Sequence, residues 1–411
     1  MGSKRARRIL IDGTMACGGG GFTYLVNILP RLARQSPDCE FRALVCSDRL
    51  AHSIAPEPNL TVNLLPKQGV AGRLRFAWIE APRLARQWGA DLYFSAGESA
   101  PLYAACPTIA SLRNPHVFTK LDQGWSRKER LRLAALRNVA RLSIRSCARI
   151  MFVSEDSAAW IGDGLGVPAP RRAVIHHGVD REAWSGISPK SVHPRPYILS
   201  VSEVIRHKNY VRLIEAYAAL ARLRADVPDL VIVGNLHDPG YGRSLERARS
   251  ATGALAERIH MVGGVPYAEI QSYYAGADLF VFPSYLETFG HPLLEAMASK
   301  VPVVASNLPV FHEIGGDAAF YADPYDPHSL ARAMEEALFI PEARKLLVKR
   351  GLERVARFSW DRTASRLLAL FDEILQERAV GHRQPLAAVR STPTPLATLA
   401  AGAFASRRRA A

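Results

Sequence analysis

PSYLETFGHPLLEAMASKVPVVAS, Pro283 to Ser306, decides how the second half of this chain folds. It opens at the carboxyl end of an apolar run, DLFVFPS (278–284), that reads as a buried strand. Pro292 suits the first turn of a helix, where its missing N–H costs nothing. The helix is alanine-rich and apolar, and PVVAS (302–306) behind it reads as another strand. Strand, loop, helix and strand make the unit of a parallel sheet. Two acids, Glu287 and Glu295, with seven residues between them, lie in the loop and just past the helix start. A helix N-terminus attracts anions, so free N–H groups near Phe289, Gly290 and His291 suit a phosphate. Carboxylates repel phosphate but accept hydrogen bonds from hydroxyls. Glu295 alone is read most simply as serving the helix dipole; the two acids together suit a ligand with a diphosphate between hydroxylated rings, which is a nucleotide sugar.

The same alternation extends in both directions. YILSVS (197–202), DLVIVG (229–234) and RIHMVG (258–263) read as strands, with helices expected over Val211–Arg224, 242–257 and Tyr267–Ala275. Before them, RILID (8–12), RALVC (42–46), ADLYFS (90–95), CPTIASL (106–112), ARIMFVS (148–154) and RRAVIHHG (171–178) form an earlier set. Helices are expected between these strands, among them Phe22–Arg34 and Lys128–Arg145. WSGISPKSVHPRP (184–196), polar and proline-containing, separates the sets as a linker. The expected architecture is α/β: two doubly wound, Rossmann-like domains facing across a cleft, at 1–186 and 187–358. A last amphipathic helix, near Trp360–Glu377 within 359–380, closes the ordered chain. Residues 381–411, rich in Ala, Pro, Thr and Arg, read as a disordered tail.

The composition, 48% hydrophobic and 22% charged over 411 residues, provides a core for each domain. No apolar run approaches a membrane span of about 20 residues, and the basic start carries too short an apolar stretch for a signal peptide. The five cysteines are scattered and never in a CxxC pair, which argues against a disulfide framework or a structural zinc site and suits a reducing cytoplasm. A net charge of +15 suits polyanions without choosing among nucleic acid, phosphorylated substrates and anionic lipid.

Open α/β sheets bind ligands at the carboxyl ends of their strands, so the remaining candidates are the loops there. After the first strand comes DGTMACGGGGFTYLVNILPRLA, with glycines at 18–21 feeding a helix. Such a turn lets backbone N–H groups approach an anion, although it could also be an unliganded loop. It is neither GxGxxG, since position 23 is Thr23, nor a P-loop. After YILSVS comes EVIRHKN, where Arg206 and Lys208 stand before a helix and could meet a phosphate or lie in solvent. TIASLRN ends in Asn114, and Pro115 and His116 follow it, placed to aim at the opposite domain; His116 could equally be a packing histidine. His176 and His177 are adjacent, which argues against both side chains meeting at one metal and favours a packing role.

At this point PSYLETFGHPLLEAMASKVPVVAS resembles the signature of the retaining GT-B glycosyltransferases of family four, which carry Glu-x7-Glu in such a segment. SVSEVIRHKN resembles that family's stretch ending in Lys-Asn, and CGGGGFTYLVNILPRLA its N-terminal glycine loop. FVSEDSAAWI and GVPAPRRAVIHHGVD are similar to its approach to the second domain. The resemblance covers residues 9 to 375 and implies roles. Lys208 would bind the donor diphosphate, Glu295 the ribose and Glu287 the hydroxyls of the transferred sugar. Phe289, Gly290 and Thr288 would border the phosphates, and Gly19 and Gly20 would approach the donor from the first domain. Arg206 would stand in for an arginine that many members carry six residues before the lysine, where this chain has Ser202. Glu287 is the leading catalytic candidate, with His116 and Asn114 as rivals for the family's histidine. Transfer would retain configuration, without a metal or other cofactor, the leaving phosphate helping to deprotonate the acceptor. ETFGHPLLEAM with VFHEIGGDAAFYADPYDP most resembles members that use mannose or rhamnose donors.

The expected partners are a nucleotide-sugar donor and a glycan, lipid-linked or small-molecule acceptor, with no nucleic acid, since no aromatic-basic recognition motif is present. Residues 125–149 carry eight Arg or Lys and one acid, with Arg137, Arg141 and Arg145 every four residues. That is a basic amphipathic helix that could rest on an anionic membrane surface or pack on its own sheet. The competing functions are another GT-B activity, such as a phosphorylase or epimerase, and a basic nucleic-acid-binding protein.

Overall fold

The structure, a computed structural model, describes residues 5–16, 18–67, 69–119, 127–187 and 192–381. The tail from 382, part of the linker (188–191), residues 125–126 of the basic segment and Cys17 lie outside the described residues.

Two all-parallel sheets organise the chain. The first holds β1 (Arg7–Asp12), β2 (Cys39–Val45), β3 (Leu60–Leu64), β4 (Leu92–Ser95), β5 (Thr108–Ser111), β6 (Arg149–Phe152) and β7 (Arg172–Val174), in the order β3-β2-β1-β4-β5-β6-β7. The second holds β8 (Tyr197–Val201), β9 (Asp229–Val233), β10 (Ile259–Gly263), β11 (Leu279–Phe282), β12 (Val303–Ser306) and β13 (Phe320–Ala322), in the order β10-β9-β8-β11-β12-β13. Strand order reverses between β1 and β4 and again between β8 and β11. At such switch points the connections leave to opposite faces and open a crevice at the carboxyl edge. The chain therefore delivers the loops after β1, β8 and β11 to two facing crevices.

The helices cover both faces of each sheet. In the first half they are α1 (Gly19–Gln35), α2 (Asp48–Ser53), α3 (Val70–Arg75), α4 (Ala81–Trp88), α5 (Pro115–Phe118), α6 (Arg127–Ser143), α7 (Glu155–Leu165) and α8 (Arg181–Ser185). In the second half they are α9 (Tyr210–Leu223), α10 (Pro239–Ser250), α11 (Tyr267–Ala275), α12 (His291–Ala298), α13 (Pro309–Gly315), α14 (Pro327–Phe339), α15 (Pro341–Val355) and α16 (Trp360–Gly381). Central strands β8, β9, β11 and β12 are buried throughout, which is why they read as unbroken apolar runs. Residues β-branched or aromatic at these positions pack against helices on both faces.

α16 leaves the second domain and packs on the first. Its Trp360, Leu367, Phe371 and Ile374 join the core formed by α1 and β1, and Phe371 meets Phe94 with ring centroids 5.7 Å apart. Arg149 anchors its far end through Glu373 and Glu377.

The expected helix over 242–257 is shorter: α10 starts at Pro239, behind the Asp238 cap, and ends at Ser250, and Gly253–Arg258 continue as a 3₁₀ turn. β3, an exposed-edge strand, and β13, only three residues long, carried no clear run and were not expected from the sequence. Within the basic segment, Arg137 does not join an outward stripe. It turns to α5 and donates to the carbonyls of Val117 and Thr119 at 2.8 and 2.7 Å, leaving Arg141 and Arg145 exposed. No described helix is long and apolar enough to cross a membrane.

Candidate active site

The loop from β11 to α12 forms the floor of the crevice. Gly290 precedes the helix at φ 100°, a left-handed conformation natural to glycine. A Cβ there would lie 2.9 Å from Phe311 Cε1, so Phe282 and Phe311 pack directly beneath the turn. The turn presents the start of α12 to the cleft, and the first-turn N–H groups of a helix have no acceptor within it.

Lys208 and Glu287 meet above this floor. Lys208 follows β8, in the short 3₁₀ turn Arg206–Lys208, and its Nζ lies 2.5 Å from Glu287 Oε1. Both side chains are nearly buried, at 13% and 11% exposure. Lys208 also lies over the Phe282 ring at 5.3 Å. Asn209 fixes the turn by donating to the carbonyls of Pro283 and Pro324 at 3.1 and 2.6 Å. The two loops expected to share a ligand are thus tied together.

Glu295 lies one turn into α12, buried against Tyr274, whose hydroxyl donates to Glu295 Oε2 at 3.2 Å. Burial pushes its carboxyl up to about 7, and the tyrosine only partly offsets this. One tyrosine hydroxyl does not offset the burial of the charge, so a ligand hydroxyl at this position would stabilise it further.

The first domain closes over the floor through its glycine loop and the turn that carries His116. A Cβ at Gly20 would lie 3.5 Å from His291 Nδ1, so the glycine loop does reach the α12 N-terminus. Gly19 has φ 50° with open space around it. The steric demand falls instead on Gly21, where a Cβ would meet Ala16 Cα at 2.9 Å, a glycine not singled out from the sequence. Asn114 caps α5 by accepting from His116 N at 3.1 Å, and its own N–H donates to Glu98. Asn114 is thus placed at the cleft with its oxygen engaged in the cap. His116 meets His207 of the second domain edge-on, with centroids 4.2 Å apart. Burial, then the charges of Lys208 and Arg132, push the His116 imidazole down to about 4. It is neutral at physiological pH.

Two expected donor contacts are used differently. Thr288 gives its hydroxyl to Arg113 O at 2.7 Å, and its carbonyl accepts from Ser154 Oγ at 2.7 Å. Its side chain belongs to the domain seam, because the loop turns it away from the crevice. Arg206 Nε pairs with Asp238 Oδ2 at 3.1 Å at the cleft rim. Phe289 packs under His177 and His291, so only its backbone could face a ligand. His176 and His177 diverge as expected: His177 stacks on His291 at 4.8 Å, and His176 pairs with Glu313.

A cavity of about 560 Å³ continues from this floor between the domains. His207 and Leu286, chain neighbours of Lys208 and Glu287, border it on one side; Glu98, Asn114 and His116 border it on the other. Leu133, Leu136 and Val139 of α6 supply an apolar wall. Tyr285 and Tyr325 stack at its edge, 5.9 Å apart. The sequence reading missed these tyrosines, Glu98 and Arg113, since nothing local distinguishes them from surface residues.

Among the described residues, one set of side chains has metal-ligating atoms within 4.8 Å: His193, Asp229 and His260. It lies at the start of β9, on the edge opposite the crevice. Arg258 and Arg195 already hold the two Asp229 oxygens at 3.0 and 3.1 Å, so its charge is balanced by guanidinium. This cluster serves to fasten the linker.

Two family models divide the chain between them. Residues 18–183 match "Glycosyltransferase Family 4", and residues 184–354 match "Glycosyl transferases group 1". This chain is a glycosyltransferase with the GT-B architecture. It is 25% identical to the O-antigen chain mannosyltransferase RfbU of Salmonella typhimurium over 84% of this chain and 93% of that protein. It is 32% identical to the O-antigen chain mannosyltransferase B of Escherichia coli over 44% of each chain. In structure it is similar to Anabaena HepE in complex with UDP and glucose, with a TM-score of 0.70 over 89% of this chain and 100% of that one, at 19% identity. As a glycosyltransferase it must hold an activated sugar and an acceptor together, and the crevice floor with the adjoining cavity provides adjacent space for both.

Proposed function

We propose that this glycosyltransferase moves a mannosyl or rhamnosyl group from a nucleotide-sugar to a glycan, lipid-linked or small-molecule acceptor, with retention of configuration and without a metal. The observation that carries the reading is the Lys208–Glu287 pair beside the α12 N-terminus. A diphosphate entering between them takes Lys208 and the helix N–H groups, and it frees Glu287 for hydroxyls on the transferred sugar. Glu295 accepts from the ribose hydroxyls. The sugar C1–O bond to the diphosphate breaks as the acceptor oxygen bonds to C1 on the same face. The acceptor proton passes to the departing phosphate oxygen. Neutral His116 lies beside the reacting sugar as a hydrogen-bonding group, and Asn114 holds its turn. The mannosyltransferase relatives support the sugar; the UDP complex of the Anabaena protein makes a uridine donor the alternative.

Thermal-shift screening against GDP-, UDP- and dTDP-sugars tests this reading, followed by the anomeric configuration of the product. GDP-mannose or dTDP-rhamnose should stabilise the protein, and Lys208→Ala and Glu295→Ala should remove the effect. If both variants kept wild-type donor affinity, the site assignment would be wrong.

The apolar wall of α6 also favours an acceptor with a lipid portion. Leu131, 65% exposed, stands on α6 among exposed Arg130 and Arg132. On this reading α6 rests on an anionic membrane surface. Flotation with phosphatidylglycerol vesicles should show salt-sensitive binding; its absence would sink the membrane part alone.

A further inference from the structure

The seam between the domains contains a carboxylate that the donor site does not use. Glu313, on α13 of the second domain, reaches the first domain. Its Oε1 accepts from Glu155 N at 2.7 Å, and its Oε2 accepts from Asp156 N at 3.0 Å. These are the first two residues of α7, so the carboxylate lies on the axis of that helix, at its positive end. His176 Nε2, at the carboxyl end of the first sheet, is 2.6 Å from the same Oε1. Glu313 and His176 are 18% and 28% exposed.

Ser154 already caps α7 in a reciprocal arrangement with Ser157. Helix α7 therefore has its own local cap, and Glu313 adds contacts from the other domain. The ends of the contact are braced. Arg354 Nε donates to Ile314 O at 2.8 Å and holds α13. Thr363 Oγ1 of α16 donates to His176 O at 2.8 Å and holds the histidine's backbone. Thr288, on the crevice floor, makes the neighbouring tie to Arg113 O. Arg113 precedes Asn114 and His116 directly.

We infer that Glu313 is a positioning residue, a trans-domain clasp that sets how closely the His116 turn and the α6 wall approach the Lys208–Glu287 floor. Lys208, Glu287 and Glu295 all belong to the second domain. Losing the clasp leaves that floor intact but widens the gap to the acceptor wall. A fixed gap is what transfer requires, because misplacement of reacting groups by about 1 Å can cost a hundredfold in rate. The inference rests on glycosyl transfer in this cleft, whichever sugar is moved.

Glu313→Ala and the milder Glu313→Gln test it in the full chain. Three measurements are made: the radius of gyration by small-angle scattering, GDP affinity by calorimetry, and GDP release from GDP-mannose. The expected result for Glu313→Ala is a larger radius of gyration, GDP affinity within about twofold of wild type and turnover lowered roughly tenfold or more. Glu313→Gln, which keeps one accepting oxygen, should fall between. An unchanged radius with turnover within about twofold of wild type would overturn the clasp. So would a GDP affinity that falls in step with turnover, since Glu313 would then only support the second domain's own fold. The scattering result needs no donor, so it stands even if mannose proves to be the wrong sugar.

Discussion

Glu295→Gln gives a direct reading of the electrostatics of α12. The carboxyl is buried and held at about 7, against an ordinary value of 4.5. Below about pH 4.5 the group is neutral whether the chain is folded or unfolded, and burial costs no charge. As pH rises, the unfolded chain ionises first, so the folded state progressively loses stability until the buried group also ionises near pH 7. At about 1.4 kcal/mol per tenfold change in the ionisation constant, the loss reaches roughly 3 kcal/mol above pH 7. Glutamine keeps an oxygen to accept from Tyr274 and carries no charge. The variant should therefore match the wild type near pH 4.5 and exceed it by roughly 3 kcal/mol at pH 8. For a domain of this size that is roughly 6–12 °C in the melting of the second domain. Thermal denaturation of both proteins from pH 4.5 to 8 measures the gap. If the two melting curves stay parallel across that range, Glu295 is not held as a costly buried acid and the reasoning fails. The same strain predicts the ligand's effect: hydroxyls that donate to Glu295 favour its charged form, so wild-type donor affinity should rise with pH up to about 7 and then level.

Three further outcomes follow from the same geometry. Lys208→Ala and Glu287→Ala should each destabilise by roughly 1–3 kcal/mol by leaving a near-buried charge unpaired, and the double variant by less than their sum, as a denaturation cycle would show. Gly290→Ala, forced to φ 100° and toward Phe311, should cost roughly 1–3 kcal/mol and weaken donor binding, read by melting and calorimetry. Gly178→Ala places a Cβ 2.1 Å from Trp360 N, so α16 must shift at the seam; a loss of roughly 3 kcal/mol in chemical denaturation, with faster proteolysis of α16, is expected.

The doubly wound architecture was legible because both faces of a central parallel strand are buried. LYFS and LFVF show this as unbroken apolar runs, whereas the half-exposed LTVNL of β3 does not. The crevice floor was legible because proline, glycine and two acids mark α12 within one short segment. The seam was not. Thr288 and Arg113 are 175 residues apart, and Glu313 lies in VFHEIGG, where it looks like any helix-surface acid. Only the packing of α13 on α7 turns it into a contact between domains. Arg137 shares the spacing of Arg141 and Arg145 yet turns to α5, because helical spacing places residues on a face without saying what that face meets.

The return of α16 to the first domain means that the backbone passes between the two sheets twice, once near Val179 and once near Phe358. These crossings lie side by side, joined by the bond from Val179 N to Phe358 O at 3.2 Å. Two adjacent passages define an axis where one would define only a pivot. Swinging of the lobes is then confined to rotation about that axis, and the crevice at the far side opens or narrows along one coordinate.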